Sequence, residues 1–176
     1  FKLTGSFADS VGNNVGYFGP YEELLRQRMP GQHAGSCGAG RSVLGLEADG
    51  TLKGCPSLHT NEWGAGSVRG HSLRELWERA TPLRYTRDRS VNDLWGYCRD
   101  CYYAAECMSG CTWMTTSLFG KPGNNPWCHH RALEHDRLGK RERLVRAEQA
   151  PGKPFDHGRF EIVVEDNAPH LLSTPE

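Results

Sequence analysis

One stretch of the chain reads Cys98-Arg-Asp-Cys101-Tyr-Tyr-Ala-Ala-Glu-Cys107-Met-Ser-Gly-Cys111, which places four cysteines within fourteen residues. Three more cysteines flank it, Cys37 and Cys55 before it and Cys128 after it. Thiols at this density are typical of a disulfide framework, of zinc binding or of iron–sulfur ligation. The function that the sequence predicts depends on the choice among these three.

The composition is that of an ordinary globular protein. Hydrophobic residues make up 37% and charged residues 24% of the 176 residues, which suits one domain with extensions. Lys plus Arg and Asp plus Glu both number 21, and this balance argues against nucleic acid or an anionic membrane as the main partner. No apolar run approaches the ~20 residues of a membrane span, and the sequence opens on no signal-like segment. We therefore predict a cytoplasmic location.

The cysteine count favours metal chemistry over disulfides. Seven cysteines cannot all pair, and a chain without a secretion signal is expected in a reducing compartment. Three bridges with one free thiol stay the alternative. The first residues, FKLTGSFADS, lack an initiator Met and are typical of mid-chain sequence, so we expect a fragment of a longer protein.

The periodicity of the chain predicts an α+β fold of short elements. A β-hairpin is expected from residues 42–48 and 51–55 around Asp49-Gly50, and it brings Cys37 and Cys55 to one end. Loops are expected at 1–19, 31–41 and 56–70, and a disordered tail after the last strand. Helices are predicted at 21–29, 73–79, 83–91 and 112–118. A long charged helix with an interruption at Gly139 is predicted from 128 to about 149, and a late strand at 158–165.

The spacing of the thiols suits two iron–sulfur clusters. Ferredoxin-type loops hold one cluster with three close cysteines while a nearby fourth serves another cluster. By this logic one cluster takes Cys98, Cys101, Cys107 and Cys128, and the other takes Cys37, Cys55 and Cys111. The second set has three cysteines and therefore lacks a fourth cysteine ligand.

Zinc is the alternative that the residues leave open. Two pairs, Cys98/Cys101 and Cys107/Cys111, have the spacing of one tetrahedral site. The remaining thiols, with His59, His129 or His130, would make another. The chain would then be a structural zinc-binding adaptor without a redox role.

The full pattern is Cys37-x12-Gly50-x4-Cys55, then Cys98-x2-Cys101-x5-Cys107-x3-Cys111, then Cys128. It resembles the seven-cysteine SPASM domain, the auxiliary C-terminal module of many radical S-adenosylmethionine (radical SAM) enzymes. The resemblance covers about half the chain. The run from Gly12 to Pro20 also looks like the end of a radical SAM barrel.

The resemblance implies two [4Fe–4S] clusters on an accessory part of a peptide- or protein-modifying enzyme, of the kind that matures ribosomally made peptides or sulfatases. Such clusters are proposed to carry electrons or to hold substrate at an open iron. The family cleaves SAM at a Cys-x3-Cys-x2-Cys cluster, and this chain has no such triplet. SAM and a catalytic site are therefore expected only with a radical SAM barrel, in cis or on a separate chain.

The resemblance also implies domain boundaries and partners. Residues 1–30 are expected to be a linker or a remnant of the barrel, 31–135 the SPASM domain, and 136–176 a C-terminal helix, strand and tail. A peptide or protein is the expected substrate. From the residues alone, the fourth ligand of the three-cysteine cluster is open among His59, Asp49, Ser57, water and substrate. Three cations close in sequence to the cysteines, Arg41, Lys53 and Arg99, either offset cluster charge or are ordinary surface charges.

Overall fold

A computed structural model describes residues 15–26, 36–152 and 158–167. In these residues short helices alternate with loops, and four strands form two separate antiparallel pairs. The helices are α1 (Glu22–Arg26), α2 (Thr60–Trp63), α3 (Leu73–Arg79), α4 (Thr81–Asp88), α5 (Tyr97–Asp100), α6 (Ala104–Cys107), α7 (Thr112–Phe119) and α8 (His129–Arg137). The strands are β1 (Gly45–Leu46), β2 (Leu52–Lys53), β3 (Lys140–Glu148) and β4 (Arg159–Asp166). The predicted α+β class is confirmed.

The first strand pair is the predicted hairpin, in a shorter form. Gly45 pairs with Lys53 and Leu46 with Leu52. The turn needs a left-handed residue, which Gly50 supplies at φ +91°. Leu52 then packs with Leu76 of α3 and Leu83 of α4, so the hairpin is held by burial of apolar side chains and not by its two short strands alone.

Helices α3, α4 and α7 follow their sequence signals. The Ser72 side chain accepts a hydrogen bond from the Glu75 N–H at the start of α3, as its capping-box spacing predicts. The helix expected at 83–91 begins earlier, at Thr81, because Pro82 fits the first turn of a helix, and it ends at Asp88. Residues Val91–Asp93 form a separate 3-10 turn. Gly120, at φ +72°, ends α7 where the sequence predicts it.

The long helix predicted from 128 to about 149 is confirmed only in its first half, as α8 (His129–Arg137), and is wrong beyond Gly139. Gly139, at φ +67°, ends α8, and residues 140–148 form strand β3 against β4. The charges that suggested a helix surface instead pair across the strands, with Lys140 Nζ 2.9 Å from Asp166 Oδ1. Alternating charges suit either structure, and the backbone pairing with β4 decides for a strand. The predicted late strand is confirmed as β4.

Smaller differences concern the loops and the ends of the chain. The loop expected at 56–70 contains helix α2. A single 3-10 turn, Gly19–Tyr21, precedes α1, which is described as far as Arg26. The rest of the predicted helix 21–29, the loops at 1–14 and 31–35, and the tail lie outside the described residues. No helix among the described residues is long and apolar enough to cross a membrane.

The cysteines belong to the core. One buried cluster contains Leu94, Cys98, Ala104 and Met108. A second contains Cys37, Ala39 and Leu58, with Cys55 packed against it. These thiols lie within two small cores. A group bound to them would therefore also stabilise the fold.

Candidate metal centres

Four of the seven thiols line one cavity. The cavity has a volume of only about 10 Å³, and its cysteines are Cys98, Cys101, Cys107 and Cys128. Cys98 lies in α5, Cys107 ends α6, and Cys128 directly precedes α8. Cysteines from three different elements therefore line the same cavity.

The chain turns sharply between Cys107 and Cys111. Met108, Ser109 and Gly110 all have left-handed backbones, at φ +48°, +61° and +64°. Two consecutive residues with side chains in this region are unusual and are tolerated where the surrounding structure holds them. The turn carries Cys111 away from the cavity that Cys107 lines.

Cys111 lies instead with the hairpin thiols. Cys37 and Cys55 share one buried cluster. Burial is the main cause that raises the pKa of Cys111, and the neighbouring Cys37 and Cys55 raise it further. The structure therefore divides the seven thiols into the two sets that their spacing predicts. The four-cysteine set is Cys98, Cys101, Cys107 and Cys128, and the three-cysteine set is Cys37, Cys55 and Cys111. That they ligate metal stays a prediction.

Two thiols of the four-cysteine set, Cys98 and Cys107, hold their protons in the metal-free protein. Burial raises the pKa of Cys98 to about 11, although the Asn125 N–H and Arg131 oppose it. Burial and the three neighbouring thiols raise the pKa of Cys107 to about 12. Ligands must be thiolates, so metal uptake here would release protons and be driven by the positive charge of the metal.

Polar groups around Cys98 are contacts that the sequence did not indicate. The Asn125 N–H donates to Cys98 Sγ at 3.3 Å. Arg131 is 2% exposed and donates to Asn124 Oδ1 at 2.6 Å and to the Asn125 carbonyl at 3.0 Å. The available signal was the spacing Cys128-x2-Arg131 at a helix start, which puts the two residues about one turn apart.

The three cations that the sequence suggested as charge partners of the clusters are either exposed or bonded to the backbone. Arg41 and Arg99 are exposed. Lys53 is 3% exposed, and its Nζ donates to the carbonyls of Pro56 and Leu58, at 3.0 and 2.6 Å, beside the Glu47 carboxylate. Lys53 thus holds the turn that follows Cys55.

The N-terminal segment closes the four-cysteine cavity. The Cys128 thiol donates to the Tyr17 carbonyl at 3.6 Å, and the His130 N–H donates to the same oxygen at 2.8 Å. Gly16, at φ +67°, lies so close that a Cβ there would be 2.7 Å from Cys128 Sγ. Arg26 fixes this segment by donating to the Gly16 carbonyl at 2.8 Å.

The three-cysteine set has no assigned fourth ligand. Asp49 is at the exposed hairpin turn, and its carboxylate accepts from the Thr51 N–H at 2.8 Å. Ser57 is exposed and His59 is half-buried at the start of α2. Close to this set, the Arg89 guanidinium donates to Ser36, the residue before Cys37, at 2.8 Å. Its buried Nε and Nη1 have no hydrogen-bond partner within the described residues.

These donor sets fit iron–sulfur clusters. Four thiols surround one space in the described part of the chain. A four-iron cluster takes four thiolates around its outside. Near the three-cysteine set, the positive charge of the Arg89 guanidinium beside Ser36 suits an anionic, sulfide-bearing group.

Comparison with known families agrees with this chemistry. The family model for SPASM, described as an iron-sulfur cluster-binding domain, matches residues 37–102. The match begins at Cys37 and includes Cys55, Cys98 and Cys101. A comparison with curated proteins gives no match. Residues 37–102 are therefore similar to the SPASM family of iron-sulfur cluster-binding domains.

Proposed function

We propose that the chain holds two [4Fe–4S] clusters as the auxiliary part of a radical SAM enzyme that modifies a peptide or protein. The observation that carries the proposal is the division of the thiols into sets of four and three within a chain that matches SPASM. When bound, such clusters supply one-electron redox chemistry and, at an iron without a protein ligand, a site for substrate.

The four-cysteine set would hold a fully ligated cluster. Its thiols come from α5, α6, the residue before α8 and the loop at Cys101. Residues 15–26 cover this cavity through the contacts of Gly16 and Tyr17 with Cys128. A cluster bound here would be shielded from water, which suits electron transfer better than substrate binding.

The three-cysteine set would hold the cluster with an open position. Cys55 and Cys111 are only half-buried, and the chain supplies no cysteine as a fourth ligand. We infer that substrate or an oxygen or nitrogen ligand completes this cluster. Substrate engagement is the role that an incomplete ligand set supports.

The proposal requires partners beyond this chain. SAM cleavage needs a radical SAM barrel, in cis or on a separate chain, because the sequence has no Cys-x3-Cys-x2-Cys motif. The substrate class that we propose is a ribosomally made peptide or a protein such as a sulfatase. A reducing cytoplasm is the compartment that keeps these thiols available.

Anaerobic reconstitution with iron and sulfide tests the cluster content. We expect about eight iron atoms and about eight sulfides per chain, with charge-transfer absorption in the visible. A chain that binds only zinc under these conditions would contradict the proposal and support the adaptor alternative.

Pairs of substitutions test the division. Cys107→Ala and Cys111→Ala should each remove about half of the iron. Adding Cys98→Ala to Cys107→Ala should remove little more, since both residues serve one cluster. Combining Cys107→Ala with Cys111→Ala should remove nearly all of it. Equal losses in the two double variants would show that the assignment is wrong, provided circular dichroism shows both folded.

A further inference from the structure

A buried positive charge is attached to the loop that contacts Cys98. Arg131 Nη1 donates to Asn124 Oδ1 at 2.6 Å and to the Asn125 carbonyl at 3.0 Å. The N–H of the same Asn125 donates to Cys98 Sγ at 3.3 Å. The guanidinium also lies over the Tyr97 ring, 5.1 Å from its centroid. One hydrogen-bonded residue therefore separates Arg131 from a predicted cluster ligand.

The counter-charge comes from the C-terminal hairpin. Glu142 of β3 places Oε2 at 2.5 Å from Arg131 Nε and Oε1 at 2.6 Å from Nη2. His135 Nε2 lies 3.1 Å from the same carboxylate. The Arg131 and Glu142 side chains are only 3% and 12% exposed, so solvent screens their charges weakly.

Both residues also line a cleft. The volume of this cleft is about 900 Å³. It lies between the β3–β4 hairpin and the aromatic side chains of Trp95, Tyr97 and Phe119. The ion pair therefore stands between the cleft and the four-cysteine set. A change at the hairpin would reach the thiols through this pair.

We propose that Arg131 and Glu142 set the reduction potential of the cluster held by Cys98, Cys101, Cys107 and Cys128, with Arg131 raising it and Glu142 lowering it. The inference rests on the proposed function. Reduction adds one negative charge to a cluster, and fixed charges and hydrogen bonds near its sulfurs decide how favourable that is. Arg131 acts as a positioning residue, through Asn125, and as a fixed charge.

The test is a redox titration of the reconstituted whole chain at one fixed pH. Dithionite supplies one electron per cluster, and electron paramagnetic resonance follows the two reduction steps. Arg131→Met should lower the potential of one step and Glu142→Gln should raise the same step. A tenfold change in the ratio of reduced to oxidised cluster corresponds to about 59 mV; we expect at least that in each direction.

Matched controls lie on the same hairpin. Arg143→Met and Glu165→Gln remove an exposed ion pair whose Nη2–Oε2 distance is 3.2 Å, with side chains 55% and 27% exposed. They should leave both potentials unchanged. Arg131→Lys keeps the charge and should stay close to the wild type.

Opposite shifts are the decisive result. Damage to the fold alone would move both variants in one direction or remove iron from both, and either outcome would overturn the inference. If Arg131→Met does not fold, the test rests on Glu142→Gln and Arg131→Lys. The inference is overturned if Glu142→Gln does not raise the potential. A wild-type chain that binds no cluster would overturn the proposed function as well, whereas a loaded wild type with unmoved potentials overturns this inference alone.

Discussion

Gly16→Ala should damage the four-cysteine set from a distance of 112 positions in the sequence. A Cβ at Gly16 would lie 2.7 Å from both Cβ and Sγ of Cys128 and 2.8 Å from its Cα. These distances are far below van der Waals contact, so either Cys128 or residues 15–26 must move. We expect the variant to lose iron from the cluster that Cys128 completes.

The magnitude has two parts. The backbone of Gly16 is left-handed, at φ +67°, which costs an alanine about 1–2 kcal/mol. Overpacking against Cys128 adds about 1–3 kcal/mol. The free energy of unfolding should therefore fall by about 2–5 kcal/mol, a large part of the ~5–15 kcal/mol typical of a domain.

Gly139→Ala is the matched control. Gly139 has the same φ, +67°, but nothing lies within 4 Å of its Cβ position. It should lose only the backbone part, about 1–2 kcal/mol, and keep its iron. Urea unfolding and iron analysis of both variants give the comparison. Equal unfolding free energies with full iron in both would refute the packing argument.

Three further perturbations test other parts of the molecule. Burial raises the pKa of Cys98 to about 11 and of Cys107 to about 12. The folded, metal-free chain therefore keeps protons that the unfolded chain releases near the ordinary thiol pKa of ~8.5. Its free energy of unfolding should fall by about 1.4 kcal/mol per pH unit per thiol above pH ~9, and urea midpoints that stay level from pH 8 to 10 would contradict this. Lys53→Met leaves two carbonyls of the turn after β2 without their donor, at about 1–3 kcal/mol each, and should cost iron from the three-cysteine set alone by metal analysis. Ser72→Ala removes the cap of α3 and should cost about 1 kcal/mol in thermal unfolding without loss of iron.

The sequence indicated much of the site because its signals are local. The hairpin turn at Gly50, the cap at Ser72 and the stop at Gly120 each depend on a few adjacent residues. The predicted grouping of the thiols rested on ferredoxin-type loops, in which three close cysteines hold one cluster and a nearby fourth serves another. The turn at 108–110 is the local conformation that separates Cys111 from Cys107.

Other features depended on partners far along the chain. Residues 140–148 carry a charge pattern that suits helix or strand, and their pairing with β4, up to 26 residues away, decides for strand. Glu142 of that strand then holds Arg131 beside the loop of Asn125. Gly16 meets Cys128 only in the folded chain.

Cysteine spacing in the sequence was thus enough to predict two sets of candidate ligands, and the resemblance to SPASM favoured iron–sulfur clusters over zinc for them. Tertiary structure alone supplied the surroundings of those ligands, namely the buried Arg131–Glu142 pair, the Asn125 N–H and the close approach of Gly16. The physical reason is that ligand type follows from the chemistry of a side chain, whereas charge, hydrogen bonding and packing around it depend on which distant residues folding brings near.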